Sequence, residues 1–201
     1  VRNMHKLFNA VNPRLTYPFF SRRARPFIVP IYPEYHTQLF PDSILKTESA
    51  AEFIENEPYR NAISKVYVSR SHYKSLQMGD VIVFYRTGGY YQGVASTIGV
   101  VENVEINIKD VNQFIRLCRK RSVFSDDELL AQWDYKPRYR PFIVNFLYTY
   151  SFPKRPNLKS LIDMGVISDL QSVPRGFEPI SREAFERLLQ EASVDARVIV
   201  D

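Results

Sequence analysis

The segment from Leu76 to Val101 constrains this chain most. Met78-Gly79-Asp80 reads as a turn, and Val81 to Tyr85 follows as an unbroken apolar run of β-branched and aromatic residues, the mark of a strand covered on both faces. Thr87-Gly88-Gly89-Tyr90 supplies backbone freedom for a reversal, and alternation resumes from Val94 through Ile98, so the two runs predict a hairpin. Gly99 marks a bulge. Past it Val104, Ile106 and Ile108 alternate with Glu105 and Asn107, so one long strand leaves the core with one wet face. Small curved barrels require such a strand. The expected fold class is α+β, a small β-barrel with helices packed around it.

The rest of the chain supplies those helices and the remaining strands. Phe27 to Tyr32 is a short strand whose Pro30 confines it to an edge or a strand end, and Pro33 can start a helix that Pro41 stops. Ser49-Ala50-Ala51-Glu52 fits a capping box opening a helix that buries Phe53 and Ile54, with a second short helix around Tyr59 to Ile63. Lys65 to Arg70 is the next strand. Asp110 caps a helix carrying Val111, Phe114, Ile115 and Cys118 on one face, and Ser125-Asp126-Asp127-Glu128 is another capping box, turning Leu129, Leu130 and Trp133 inward. Phe142 to Tyr150 is the last long strand, with Phe142, Val144, Phe146 and Tyr148 on one face. Asn157 and Ser181 cap the closing helices, the first ending at Gly165.

Charge divides the chain into three parts. The net charge is +5, yet residues 1 to 26 hold six Lys/Arg and no acid, which leaves 21 basic and 22 acidic residues in the body. We expect a basic, aromatic leader or tail of an upstream domain over 1–26, a folded body over 27–192 and a tail over 193–201. Within the body, Arg116 to Lys159 holds ten basic and four acidic residues, whereas Asp163 to Asp201 holds four and eight, so one side should be positive. No run approaches membrane-spanning length and nothing resembles a signal peptide. The lone Cys118 excludes an internal disulfide and points to the cytoplasm. His5, His36 and His72 are scattered, and no Ser/His/Asp, P-loop or dinucleotide pattern stands out, so neither metal nor cofactor is expected.

Phe27-Ile28-Val29-Pro30-Ile31-Tyr32-Pro33-Glu34-Tyr35 resembles the opening of an ASCH domain, a PUA-like fold related to EVE domains. Gly79-Asp80 before Val81 to Tyr85, then a hairpin into Gly93-Val94-Ala95 and Gly99-Val100-Val101, is similar to the central hairpin of that group. The Gly-x-Lys-x-x-Glu-x-Arg signature of ASCH domains falls on Ile63 to Arg70: Lys65 and Arg70 match, while Ile63 and Val68 replace the glycine and the glutamate. The resemblance implies a module that binds RNA or a modified nucleotide, and the departures weaken family-level catalysis more than ligand binding. Domains of this kind sometimes follow a GNAT-type acetyltransferase, of which residues 1 to 26 would be the last piece; the acetyl-CoA-binding loop is absent here.

Three clusters are candidate sites. Lys65, Ser69, Arg70 and His72 gather at one strand end, where a barrel mouth would present them to a phosphate or base edge. Arg86, Tyr90 and Tyr91 sit at the hairpin tip, and Tyr135, Arg138 and Arg140 interleave with Lys136 and Tyr139 in a pattern suited to a single strand. Trp133 reads as core, and Arg119-Lys120-Arg121 as a solvated helix end. A non-catalytic binding module fits these clusters first. An amidohydrolase acting on an acetylated nucleoside would use Lys65 with Glu102 or Glu105 in proton transfer. A regulatory arm of an acetyltransferase would need no chemistry of its own.

Overall fold

The computed structural model describes residues 12–43 and 57–200. In chain order these form β1 (Phe20–Ser21), β2 (Pro26–Ile31), α1 (Pro33–Leu39), α2 (Pro58–Asn61), β3 (Ser64–Ser69), β4 (Val81–Arg86) and α3 (Gly89–Gln92). Then come β5 (Val94–Glu105), α4 (Val111–Cys118), α5 (Asp126–Asp134), β6 (Phe142–Ser151), α6 (Leu158–Asp163), β7 (Glu178–Pro179), α7 (Arg182–Glu191) and β8 (Ile199–Val200). The capping box expected at Ser49 to Glu52 and its helix lie outside the described residues, as does His5.

The caps form as the sequence dictates. Asp110, Asn157 and Ser181 each accept a hydrogen bond from a backbone N–H in the first turn of the helix they open. Ser125 and Glu128 exchange both bonds of a capping box. Val81 to Tyr85 is buried throughout, because both of its faces are covered.

Six strands hydrogen-bond in the order β3-β6-β5-β4-β2-β7, with β2 parallel to β4 and every other pair antiparallel. Bulges at the junctions Phe84/Tyr85, Ile98/Gly99 and Val101/Asn103 add twist, and the sheet curls. The expected closed barrel is corrected here: β3 and β7, the two ends of the sheet, do not pair. β7 is only two residues long and meets β2 at Phe27 and Ile28 alone, so β2 runs on from Val29 to Ile31 with an open edge. Pro30 sits on that edge, where its missing N–H costs no ladder bond.

Side chains bridge what the backbone leaves open. Tyr67 of β3 donates a 2.6 Å hydrogen bond to the Pro30 carbonyl, and its ring lies 5.5 Å from Phe177, just before β7. Inside the curl Phe40, Phe84 and Phe146 stack with centroids 4.7 and 4.8 Å apart, each such pair contributing about 0.5–1.5 kcal/mol beyond its buried area. Gly99 makes this packing possible: a Cβ there would stand 2.6 Å from Phe146 Cδ2 and 3.2 Å from Phe84 Cε2.

Two helical layers cover the outer face. α7 and α6 bury Phe185, Leu188 and Leu161 against Val81, Val83 and Ile98, while α4 and α5 bury Phe114, Cys118, Leu129 and Trp133 against Val66 and Ile143. The described part of the amino-terminal segment packs on this body. Phe20 is 1% exposed, and β1 pairs in parallel with β8, Phe20 opposite Ile199 and Ser21 opposite Val200.

Candidate functional site

The gap between the open edge of β2 and the free edge of β3 is a cleft of about 490 Å³. Tyr32, Tyr35, Tyr67, Phe124, Gln132 and Arg175 line it, with Val66, Val68, Pro30 and Ile31 from the two strand edges. Pro33 starts α1 directly after β2, and the three-residue spacing then sets Tyr32 and Tyr35 on one side, their rings 6.4 Å apart. Phe124, just before the capping box of α5, meets Tyr35 edge-on at 4.8 Å. Burial raises the Tyr35 phenol above its ordinary value, with Glu128 and Glu34 adding to the effect. The phenol is therefore a neutral donor at physiological pH.

The strand edges add polar groups. The Val66 N–H points away from β6 and donates to the Arg121 carbonyl, so alternation puts the N–H and C=O of Val68 on the same open side. Gln132 of α5 and Thr87 after β4 bring further donors and acceptors. An aromatic slot with one hydrogen-bonding edge matches a flat heterocycle that needs both stacking and edge contacts.

Arg70 stands at the end of β3 where this cleft meets α5. Its Nη1 donates to Gln132 Oε1 at 2.5 Å, and its guanidinium lies 5.4 Å from the Tyr135 ring centroid. Burial lowers its pKa from the ordinary arginine value, and its Nε and Nη2 are buried without a hydrogen-bond partner in the structure. The Ser71 Oγ, one residue on, accepts from the Phe177 N–H and lies 2.6 Å from where a Gly176 Cβ would be, so the 174–177 segment carrying Arg175 is pressed against this strand end.

The other expected site residues fall elsewhere. Lys65 is corrected from a mouth residue to an interior one: it is 0% exposed, faces the inside of the curl, and donates to the carbonyls of Tyr59 and Arg60 at 2.6 and 3.1 Å. Burial brings its pKa down to about 8, against the opposing pull of Asp42. Glu102 accepts from Ser64 Oγ and pairs with Arg14 on the opposite face of β3, and Glu105 accepts from Asn103. The structure thus does not bring either carboxylate to Lys65, and the arrangement expected of an amidohydrolase is not assembled.

Ser69 is buried and accepts from the Ser71 N–H, anchoring a turn, while His72 is exposed beside it. Arg86 ends β4 near the Thr87 and Gln92 carbonyls. The expected hairpin tip is the one-turn helix α3, which sets Tyr90 against the Leu158 and Leu161 layer and Tyr91 outward beside Lys159, away from the cleft. Tyr135, Arg138 and Arg140 lie after α5 at the cleft's Arg70 end. Arg140 packs 4.7 Å over the Trp133 ring and pairs with Asp134, Tyr135 is 69% exposed and Arg138 is exposed.

Sequence reasoning missed Tyr32, Tyr35, Phe124, Gln132 and Arg175. The pair after Ile31 carries a signal in its spacing, but Phe124 and Arg175 lie far along the chain from it and leave no local trace.

Among the described residues no group of three His, Cys, Asp or Glu side chains could hold a metal ion, and no helix is long and apolar enough to cross a membrane. No protein-family model matches the sequence, and no curated protein does either. Solved structures do match in fold. ZmASCH from Zymomonas mobilis aligns over 82% of this chain and 94% of its own at 11% identity and a TM-score of 0.57, and a point mutant of that protein over 82% and 96% at 10% identity and a TM-score of 0.59. Human THYN1, in complex with 5-methylcytosine-containing DNA, aligns more loosely, over 86% and 99% at 10% identity and a TM-score of 0.49. The chain therefore has the fold of the Zymomonas mobilis ASCH protein.

Proposed function

We propose that this chain is a non-catalytic nucleic-acid-binding module that takes an unpaired base, of RNA or of a modified nucleotide, into the cleft between β2 and β3. The observation that carries this reading is the slot itself: Tyr32, Tyr35, Tyr67 and Phe124 surround a 490 Å³ space bordered by an open strand edge and Arg175. Stacking on aromatic side chains contributes about 1–3 kcal/mol per base, and open backbone groups at Val68 can meet a base edge. A positive flank at Arg70 and Arg175 suits a phosphorylated ligand.

Fluorescence titration with short single strands of RNA and DNA at two salt concentrations tests the proposal. Binding that weakens as salt rises supports it. Absence of binding to RNA, DNA and free nucleosides at low salt would remove it.

A further inference from the structure

The surface cations differ in what holds them. Elsewhere on the molecule several are held by a carboxylate: Asp80 holds Arg25, Asp126 holds Arg119, Asp163 holds Lys159 and Asp195 holds Arg197. At the Arg70 end of the cleft, aromatic rings do. Arg70 lies 5.4 Å and Lys136 5.0 Å from the Tyr135 centroid, and Lys74 lies 5.8 Å from that of Phe142. None of these three, nor exposed Arg138 and Arg175, has a carboxylate within ion-pair distance among the described residues. Arg140, held over Trp133, is the member of this group that also meets an acid, Asp134.

The difference matters electrostatically. A carboxylate fixes a cation and cancels its charge, whereas a ring fixes it through the quadrupole and leaves the full charge to act outward. Rings therefore turn flexible side chains into an ordered, uncompensated positive surface. Tyr135 and Tyr139, 69% and 67% exposed, interrupt it with flat apolar faces. Lys136, Arg138 and Arg140, half of these six cations, come from the stretch following α5, within the part of the body richest in base over acid.

We infer that this lip is a track for the phosphate chain of a single strand whose base occupies the cleft, so that the ligand is a polynucleotide rather than a free nucleoside. The inference rests on the nucleic-acid reading of the cleft. Phosphates would pair with Lys74, Lys136 and Arg138, and the two tyrosines would accept neighbouring bases.

The test uses the full chain and fluorescein-labelled random-sequence decamers of RNA and of DNA, titrated at several salt concentrations. A variant carrying Lys74→Gln, Lys136→Gln and Arg138→Gln is compared with a control of equal charge change, Lys109→Gln, Lys120→Gln and Lys154→Gln. All six side chains are exposed, so folding should survive. The lip variant is expected to lose about 2 from the slope of log affinity against log salt, and at least tenfold in affinity at low salt, with the control near wild type. Equal losses in the two variants, or in neither, would overturn the inference while leaving the cleft reading in place, provided that Tyr32→Ala weakens binding. No decamer binding to the wild type would overturn the inference alone if free nucleosides still bind, and both readings if they do not.

Discussion

The Tyr67 hydroxyl and the Pro30 carbonyl, 2.6 Å apart, join two strands that are not neighbours in the sheet. The bond crosses the floor of the cleft and holds its walls at a fixed separation. Tyr67→Phe keeps the ring but leaves a part-buried carbonyl without this partner, so urea unfolding should show a loss of about 1 kcal/mol. A wild-type midpoint in this variant would mean that the sheet's curl alone sets the gap.

Gly99 faces the Phe146 and Phe84 rings at a distance that admits no side chain. Gly99→Ala should force those rings off their rotamers and destabilise the fold by about 1–3 kcal/mol, reversing the small gain that alanine usually brings to a strand. Thermal unfolding of Gly99→Ala beside Gly99→Ala/Phe146→Leu checks the cause, because the smaller partner should recover part of the loss.

Lys65 gives the protein a distinctive alkaline response. The folded chain releases this proton near pH 8, whereas the unfolded chain keeps it to about 10.5. Between those values the unfolded state binds more protons, so stability from this group rises with pH; below 8 both states are protonated and the slope vanishes. Relative to Lys65→Met, the wild type should gain on the order of 3 kcal/mol across that window. Parallel curves for the two proteins in urea unfolding from pH 7 to 10.5 would contradict the assignment. Cys118 and Tyr148, both pushed up to about 12 by burial, lower stability above their unfolded values in wild type and variant alike.

Tyr32 is 63% exposed and holds little of the core, so its removal should affect binding and not folding. Tyr32→Ala is expected to weaken single-strand binding by about 1–3 kcal/mol with an unchanged salt slope, since stacking releases no counterions. Arg175→Ala should reduce the slope by about 0.7. Exchange of the two signatures would show that the base lies elsewhere.

The elements were legible where local chemistry decides them. The caps at Asp110, Ser125, Asn157 and Ser181, the buried run from Val81 to Tyr85 and the inward face of Phe142, Val144, Phe146 and Tyr148 follow from short-range pattern. Lys65 was misplaced because a lysine in a strand normally marks a wet face; the Tyr59 and Arg60 carbonyls, supplied by the short helix α2 before β3, make its burial tolerable. The open sheet was equally hidden, since nothing in Lys65 to Arg70 or Phe27 to Tyr32 says that the two edges stop short of pairing. The candidate cleft exists because of that unmade pairing, which is why its aromatic lining could not be assembled from the sequence.

The parallel pairing of β1 with β8 has a mechanical meaning. Traction applied ahead of Phe20 and beyond Val200 would draw the two strands past one another along their length, so their hydrogen bonds share the load instead of parting one by one. Arg22, whose N–H donates to the Val200 carbonyl at 2.8 Å, extends this clasp by one rung. Tension applied at those two points would load this clasp before the sheet, while the cleft, on strands outside that line of force, would keep its shape until the clasp slipped.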